Sequence, residues 1–317
     1  MQGSMPDSYT HPSMIPPQRE AVVSLMFGPS SEPLGGRIRP DFAFITSDSV
    51  LFYVDEKTIL RASKNNFSSL LPLNTLENIH RVVYVDLHST ELQVILQVIY
   101  DVSYDSDNPN PGPSWQSPSN YPDVKAIIHG IDLLPHFGID PKARIHPQTF
   151  TQRQTKMFAF LLTCAPIYPL EIYTLAARHN MHDLAVSTSS HLLTIDLATI
   201  NSSTVQSMGA LYHGKLIRLL EDRKLILSNL LSVQLGLHDP TKKCGFTDQQ
   251  VLKHAWARGV TSLTRVMNAG IPTTKIKEVL LDATNDVTCP DCIKLRDARV
   301  RTICAEWSLA TFPDFMA

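Results

Sequence analysis

Cysteine is scarce in this chain and odd in number: five residues in 317. That excludes the dense disulfide framework of a small secreted domain and predicts a reducing compartment, an intracellular protein of the cytoplasm or nucleus. Long apolar runs are missing too, and none approaches the roughly 20 residues a membrane helix needs. The stretch Ala21 to Phe27 is too short for the apolar core of a secretory leader and follows the acidic Glu20. Charge of one sign is absent. The 28 Lys and Arg against 30 Asp and Glu leave a net charge of −2, so nothing global favours nucleic acid or an anionic membrane as a partner. Catalytic signatures are absent as well. There is no His-Glu-x-x-His helix and no Gly-x-Ser-x-Gly elbow, and the carboxylates are scattered rather than paired. The expectation is a protein that is not an enzyme, with no catalytic residues, no cofactor and no metal.

What is present suffices for two domains: 43% hydrophobic and 18% charged residues over a length that divides naturally in two. Residues 1–36 are rich in Pro, Ser, Gly and Met with weak periodicity, and read as a disordered tail. Within it, the run from Ala21 to Phe27 can dock on the core as a strand or stay free, and the residues alone leave both open. Asp41-Phe42-Ala43-Phe44-Ile45-Thr46 and Val50-Leu51-Phe52-Tyr53-Val54 flank a Ser-Asp-Ser turn and predict a hairpin. Leu60, Ser63, Phe67, Leu70 and Leu71 then recur at helical spacing. Val82 to Val85 returns to strand character. Ser89 or Thr90 is placed to cap a helix whose stripe is Leu92, Ile95, Leu96 and Ile99, closed by Tyr100.

Residues 101–122 carry five prolines and Trp115, and read as an inserted loop. Trp115 is either an exposed anchor for a partner or, the preferred reading, folded back on its own domain. Val124 to Phe137 is helical, with a break at Pro135 and Gly138. Beyond about residue 145 almost everything is helix. Pro169 opens one at a first-turn position, and further helices are predicted over 200–231, 247–268, 273–281 and 293–309. The fold class expected is α+β, mostly α: a domain over 37–145 and a helical domain over 146–317.

The ordered set strand–strand–helix–strand–helix resembles the BTB/POZ domain, a protein–protein interaction module. Asp41-Phe42 is similar to the Asp-hydrophobic opening of that family's first strand. Lys57-Thr58-Ile59-Leu60 with Ser63 and Phe67 resembles its Lys-x-x-Leu…Ser-x-x-Phe helix, and Leu96…Ile99-Tyr100 its Leu-x-x-x-Tyr ending. The helical half, with Pro169 to Ala176, Cys244, Trp256, the Cys289–Cys292 pair and Trp307, looks like the companion region of fungal BTB proteins. The resemblance implies protein partners and a homodimer. It also implies, as an alternative, a substrate adaptor that meets a cullin scaffold of ubiquitin ligases through the 89–100 helix, where Leu92, Val94 and Val98 could offer apolar contacts. The chain departs from the family at Glu56, which stands where a histidine of the dimer face is usual, and the sequence leaves open whether this prevents dimerisation.

Two local patterns compete with the reading of a protein without chemistry. Cys289-Pro290-Asp291-Cys292 has the spacing with which two thiolates bite one Zn²⁺. A structural site needs two further ligands, and Cys244, His254 and Cys304 are the candidates. A dithiol redox motif would want a preceding strand that is missing. The plainer reading, and the one expected, is a pair of reduced cysteines packed at a helix start. A zinc-containing enzyme or a zinc-stabilised domain in the C-terminal half is the alternative of another class. Gly209 to Leu216 nearly spells a phosphate-binding P-loop, but Leu216 replaces the Ser or Thr that holds Mg²⁺ and no strand precedes it.

Overall fold

The computed structural model describes residues 21–29, 40–72, 81–102, 123–150 and 152–310. Most of the predicted 101–122 loop, with Trp115, and most of the predicted tail lie outside the described residues. The protein is mostly helical with one small mixed sheet. Two units are resolved along the chain, Met1–Arg144 and Ile145–Ala317.

In the front unit, β1 (Val22–Val23), β2 (Phe42–Ile45), β3 (Val50–Val54) and β4 (Val82–Tyr84) form a sheet in the order β1-β3-β2-β4. The predicted hairpin is β2–β3, antiparallel, with Phe42 opposite Val54 and Phe44 opposite Phe52. On its other side β2 pairs with β4 in parallel, Phe44 opposite Val83. A central strand is covered on both faces, so Phe42, Ala43 and Phe44 are all buried. The run that could dock or stay free does dock: β1 pairs with β3 in parallel, and Phe27 is fully buried against Phe52 and Tyr100.

α1 (Glu56–Ala62) starts at Asp55, whose carboxylate accepts the Thr58 N–H at 2.8 Å. The predicted single helical face through Leu60, Ser63, Phe67 and Leu71 is broken. α1 stops at Ala62, its inward residues are Ile59 and Ala62 rather than Leu60, and Ser63 is extended. The Ser63 hydroxyl donates to the Phe137 carbonyl at 2.6 Å and accepts the Phe67 N–H at 2.7 Å. α2 (Asn66–Ser69) follows as one turn with positive φ at all four residues. Left-handed backbone at a non-glycine costs on the order of 1 kcal/mol each. The return is Phe67, stacked between Phe44 (5.0 Å) and Phe137 (4.5 Å) and wholly buried.

α3 (Ser89–Tyr100) is capped not by Ser89 or Thr90 but by His88, in a capping box with Glu91. Ser89 is used otherwise: its N–H and hydroxyl both donate to Asp48, at 2.9 and 2.5 Å, joining the helix start to the hairpin turn. α3 is buried almost all round, and α4 (Val124–Leu133) lies so close that a Cβ on Gly130 would come within 2.6 Å of the Val94 Cβ. Leu92, Val94 and Val98 are core residues with at most 4% of their surface exposed, so they offer no outward apolar contacts. A 3-10 turn over Leu134–Phe137, ended by Gly138 at φ 70°, and α5 (Pro141–Arg144) complete the unit.

The second unit contains α6 (Lys156–Cys164), α7 (Pro169–Arg178), α8 (His182–Ser189), α9 (Ser202–Ser232), α10 (Phe246–Val266), α11 (Thr273–Ala283) and α12 (Pro290–Leu309). Pro169 occupies the first turn as expected. The P-loop look-alike lies inside α9, where Leu216 is fully buried, with no strand before it. Leu211 is 64% exposed, and Gly209 at φ 71° breaks the helical phase just before it. The second half of α9 packs with α10, α11 and α12 around Leu227, Leu252, Trp256, Ile276, Ile303 and Trp307. No helix among the described residues is long and apolar enough to cross a membrane.

Candidate metal centre

The most concentrated chemistry in the described residues lies where the loop after α9 meets the start of α12. The loop cannot continue as helix. Val233 is extended, Leu235 drops into the core (5% exposed), and Pro240 forbids a helical partner for its missing N–H. Thr241 and Cys244 then close a tight turn on themselves, by Thr241 N–H to the Cys244 carbonyl at 2.9 Å and the reverse bond at 3.2 Å. Gly245 caps α10, its N–H donating to Asp248 at 2.9 Å. The turn points the Cys244 side chain inward, where it is 1% exposed. Cys289 is the residue before α12 and Cys292 is in its first turn, with Pro290 between them as the first helical residue.

These segments bring four donors together. One side-chain donor atom each of His238, Cys244, Cys289 and Cys292 lies within 4.8 Å of all the others. The His238 Nε2 is 3.5 Å from Cys289 Sγ and 3.3 Å from Cys292 Sγ, and Cys244 Sγ is 3.7 Å from Cys292 Sγ. All five cysteines are free. The other imidazole nitrogen, Nδ1, sits 2.7 Å from the Asp239 carbonyl. A carbonyl accepts only, so Nδ1 carries the hydrogen and Nε2 turns its lone pair to the sulfurs. The Gln249 amide donates to the His238 carbonyl at 2.8 Å and holds the loop against α10.

The electrostatics are uneven. The N–H of Cys292 at the start of α12 holds the Cys289 thiol down to about 7, below the usual thiol range. Burial pushes the thiols of Cys244 and Cys292 up. The Asp239 carbonyl raises the His238 imidazole. Three sulfurs and an imidazole nitrogen facing one another are the parts of a metal-ligand set. Two thiols in a helix-start Cys-x-x-Cys are also the parts of a dithiol pair, but a loop and not a strand leads into them.

Of the three partners the sequence offered for Cys289 and Cys292, the fold selects one. Cys244 joins them. His254 is on the exposed side of α10, and Cys304 lies three turns along α12, donating to the Thr273 carbonyl at 3.7 Å. The expectation of no metal rested on missing third and fourth ligands, and that reason does not hold. The fourth donor, His238, was not singled out from the sequence. Its signal was the polar, proline-containing loop it shares with Cys244, a place where two side chains can turn to one point without a helical or strand period.

The front unit shows polar arrangements of another kind. Arg81 reaches Glu56 at 2.9 Å and Asp41 at 3.6 Å, so Glu56, the departure from the family pattern, is engaged within its own chain. Glu56 N–H also donates to Asp41 at 2.9 Å. Comparison with family models, with curated proteins and with solved structures finds no match to this chain.

Proposed function

We propose that the protein is a non-catalytic interaction protein of the cytoplasm or nucleus that grips other proteins through its front unit, first of all a second copy of itself. The observation that carries this reading is the edge of the sheet at β1, which has no neighbour on its outer side among the described residues. β1 is the last strand in the order β1-β3-β2-β4, and its Val22 and Val23, with Leu25 just beyond, are 63%, 40% and 97% exposed. An apolar sheet edge offers unpaired backbone groups and contact area together, which is what strand addition between chains uses. A hairpin and a third strand sharing one small sheet capped by helices is also the arrangement that the BTB/POZ resemblance implies. The ion cluster of Glu56, Arg81 and Asp41 leaves this edge untouched, so the Glu56 departure does not stand against dimerisation there.

Light scattering on the full chain at tens of micromolar tests the reading, since specific pairs dissociate well below that concentration. The expected mass is about twice 35.4 kDa. Leu25→Asp together with Val22→Asp is expected to return it to one chain. A wild-type monomer removes the dimer, and a dimer indifferent to both substitutions moves the interface off this edge. The cullin-adaptor alternative loses the three residues named for it, because Leu92, Val94 and Val98 are in the core.

A further inference from the structure

We infer that His238, Cys244, Cys289 and Cys292 form a structural zinc site that fastens the loop between α9 and α10 to the start of α12. This inference stands apart from the interaction reading of the front unit and does not depend on it.

The distances carry it. Zinc takes thiolate sulfur at about 2.3 Å and imidazole nitrogen at about 2.0–2.1 Å in a tetrahedron, whose sulfur–sulfur edge is then about 3.8 Å and sulfur–nitrogen edge about 3.5 Å. The observed edges are 3.7 Å between Cys244 and Cys292 and 3.5 and 3.3 Å from His238 to Cys289 and Cys292. A disulfide needs about 2.05 Å, and one such bond would leave a thiol and an imidazole lone pair converging on nothing. Three sulfurs with one imidazole is a donor set that suits zinc over the oxygen-preferring cations. The second shell is in place as well. The Asp239 carbonyl fixes the imidazole tautomer so that Nε2 faces the sulfurs, as metal-ligating histidines require.

The site is closed. Four protein donors fill a tetrahedral shell, whereas a catalytic zinc keeps one position for water or substrate. That disfavours a zinc enzyme and favours a staple. Binding replaces the thiol protons of Cys244, Cys289 and Cys292 by Zn²⁺ and releases them to solvent, leaving three thiolates, one neutral imidazole and no change in oxidation state. What is stapled is definite. Cys244 and Cys292 belong to the same apolar cluster as Leu252, Trp256 and Ile303, so the ion would sit at the rim of the core and close the end of the bundle where the chain has no regular structure.

The test uses the full chain purified without chelator. Elemental analysis is expected to find about one zinc per chain. After chelation, Co²⁺ is expected to restore the visible absorption of a tetrahedral, thiolate-ligated cobalt. Zinc is expected to shield Cys244, Cys289 and Cys292, but not Cys164 or Cys304, from alkylation mapped by mass spectrometry. Cys289→Ser and His238→Ala are expected to lower zinc retained against a weak chelator at least about tenfold. His254→Ala and Cys304→Ser are expected to keep it. If the ligand variants fail to fold, the cobalt spectrum and the shielding pattern of the wild type decide. Folded wild-type protein that holds no zinc and gives no cobalt spectrum overturns the inference. So does a Cys289–Cys292 disulfide in protein isolated under reducing-compartment conditions, or full retention of zinc by the His238→Ala, Cys289→Ser double variant.

Discussion

The two units settle their inward polar groups by opposite means. In the front unit oxygen and nitrogen find each other, both locally and across long sequence separations. Asp48 accepts from Thr46 and Ser89, Ser63 bridges Phe67 and Phe137, and Arg81 ties Glu56 to Asp41. These donors each have an acceptor supplied by the chain itself. At the end of the second unit, acceptor-rich sulfur and an imidazole lone pair face one another instead. Donors that only converge have a use when a cation lies between them. If the zinc inference holds, the second unit draws part of its stability from an ion, and the front unit does not.

The largest effect should come from taking that cation away. With chelator, or in Cys292→Ala, the melting transition of the second unit is expected to weaken by more than about 4 kcal/mol, since structural zinc is worth far more than one side-chain contact. The transition of the front unit should stay where it was. Circular dichroism melts with and without chelator check this, and equal movement of both transitions would break the comparison. Next, Gly130→Ala should cost the front unit about 1–3 kcal/mol, because the new methyl lands on Val94 in a close-packed helix contact. Denaturant unfolding is the measurement, and the zinc content should not change.

A smaller effect is expected for Trp307→Phe. The indole N–H donates to the Ile271 carbonyl at 2.9 Å in a buried setting, and its loss leaves that carbonyl without its donor at a cost of about 1–2 kcal/mol. The smallest concerns pH. Burial works against the Asp48 carboxylate, but hydrogen bonds from Ser89 and Thr46 outweigh it and hold the group below its ordinary value. A carboxyl lowered in the folded state contributes stability above its unfolded value and loses it as pH falls through the folded one. The front unit should thus lose a little stability on acidification between about pH 5 and pH 2. Asp48→Asn should flatten that slope, read from thermal midpoints across the range.

The sequence announced elements better than it announced what they do. The hairpin, the strand at Val82, Pro169 at a helix start and the helices of the second unit follow from period and punctuation, because those signals are local; that β4 pairs with β2 in parallel was not legible. The break after Ala62 was not legible. Helical spacing ran through Ser63 and Phe67, and only the aromatic stack of Phe44, Phe67 and Phe137, made by residues far apart in the chain, explains why the backbone turns left-handed there. Leu92, Val94 and Val98 looked like a surface because a helix was assumed to have one, and α4 against Gly130 removes it. Half of the metal centre was legible in Cys289 and Cys292. Cys244 was one of three equal candidates, and His238 was invisible because a loop carries no period that would show where its side chains point.

Beyond the break at Gly209, α9 continues without interruption from Ala210 to Ser232, roughly 34 Å at the usual rise. Near one end the Tyr173 hydroxyl donates to the Tyr212 carbonyl, and farther along Arg223 lies over the Trp307 ring at 4.0 Å and Arg299 donates to the Leu230 carbonyl. The part of α9 beyond Gly209 thus links α7 to α12 within this unit. Loosening either end takes away the support of the other, so the whole unit should open as one cooperative body, and a disturbance among the sulfurs should be felt as far away as Tyr173.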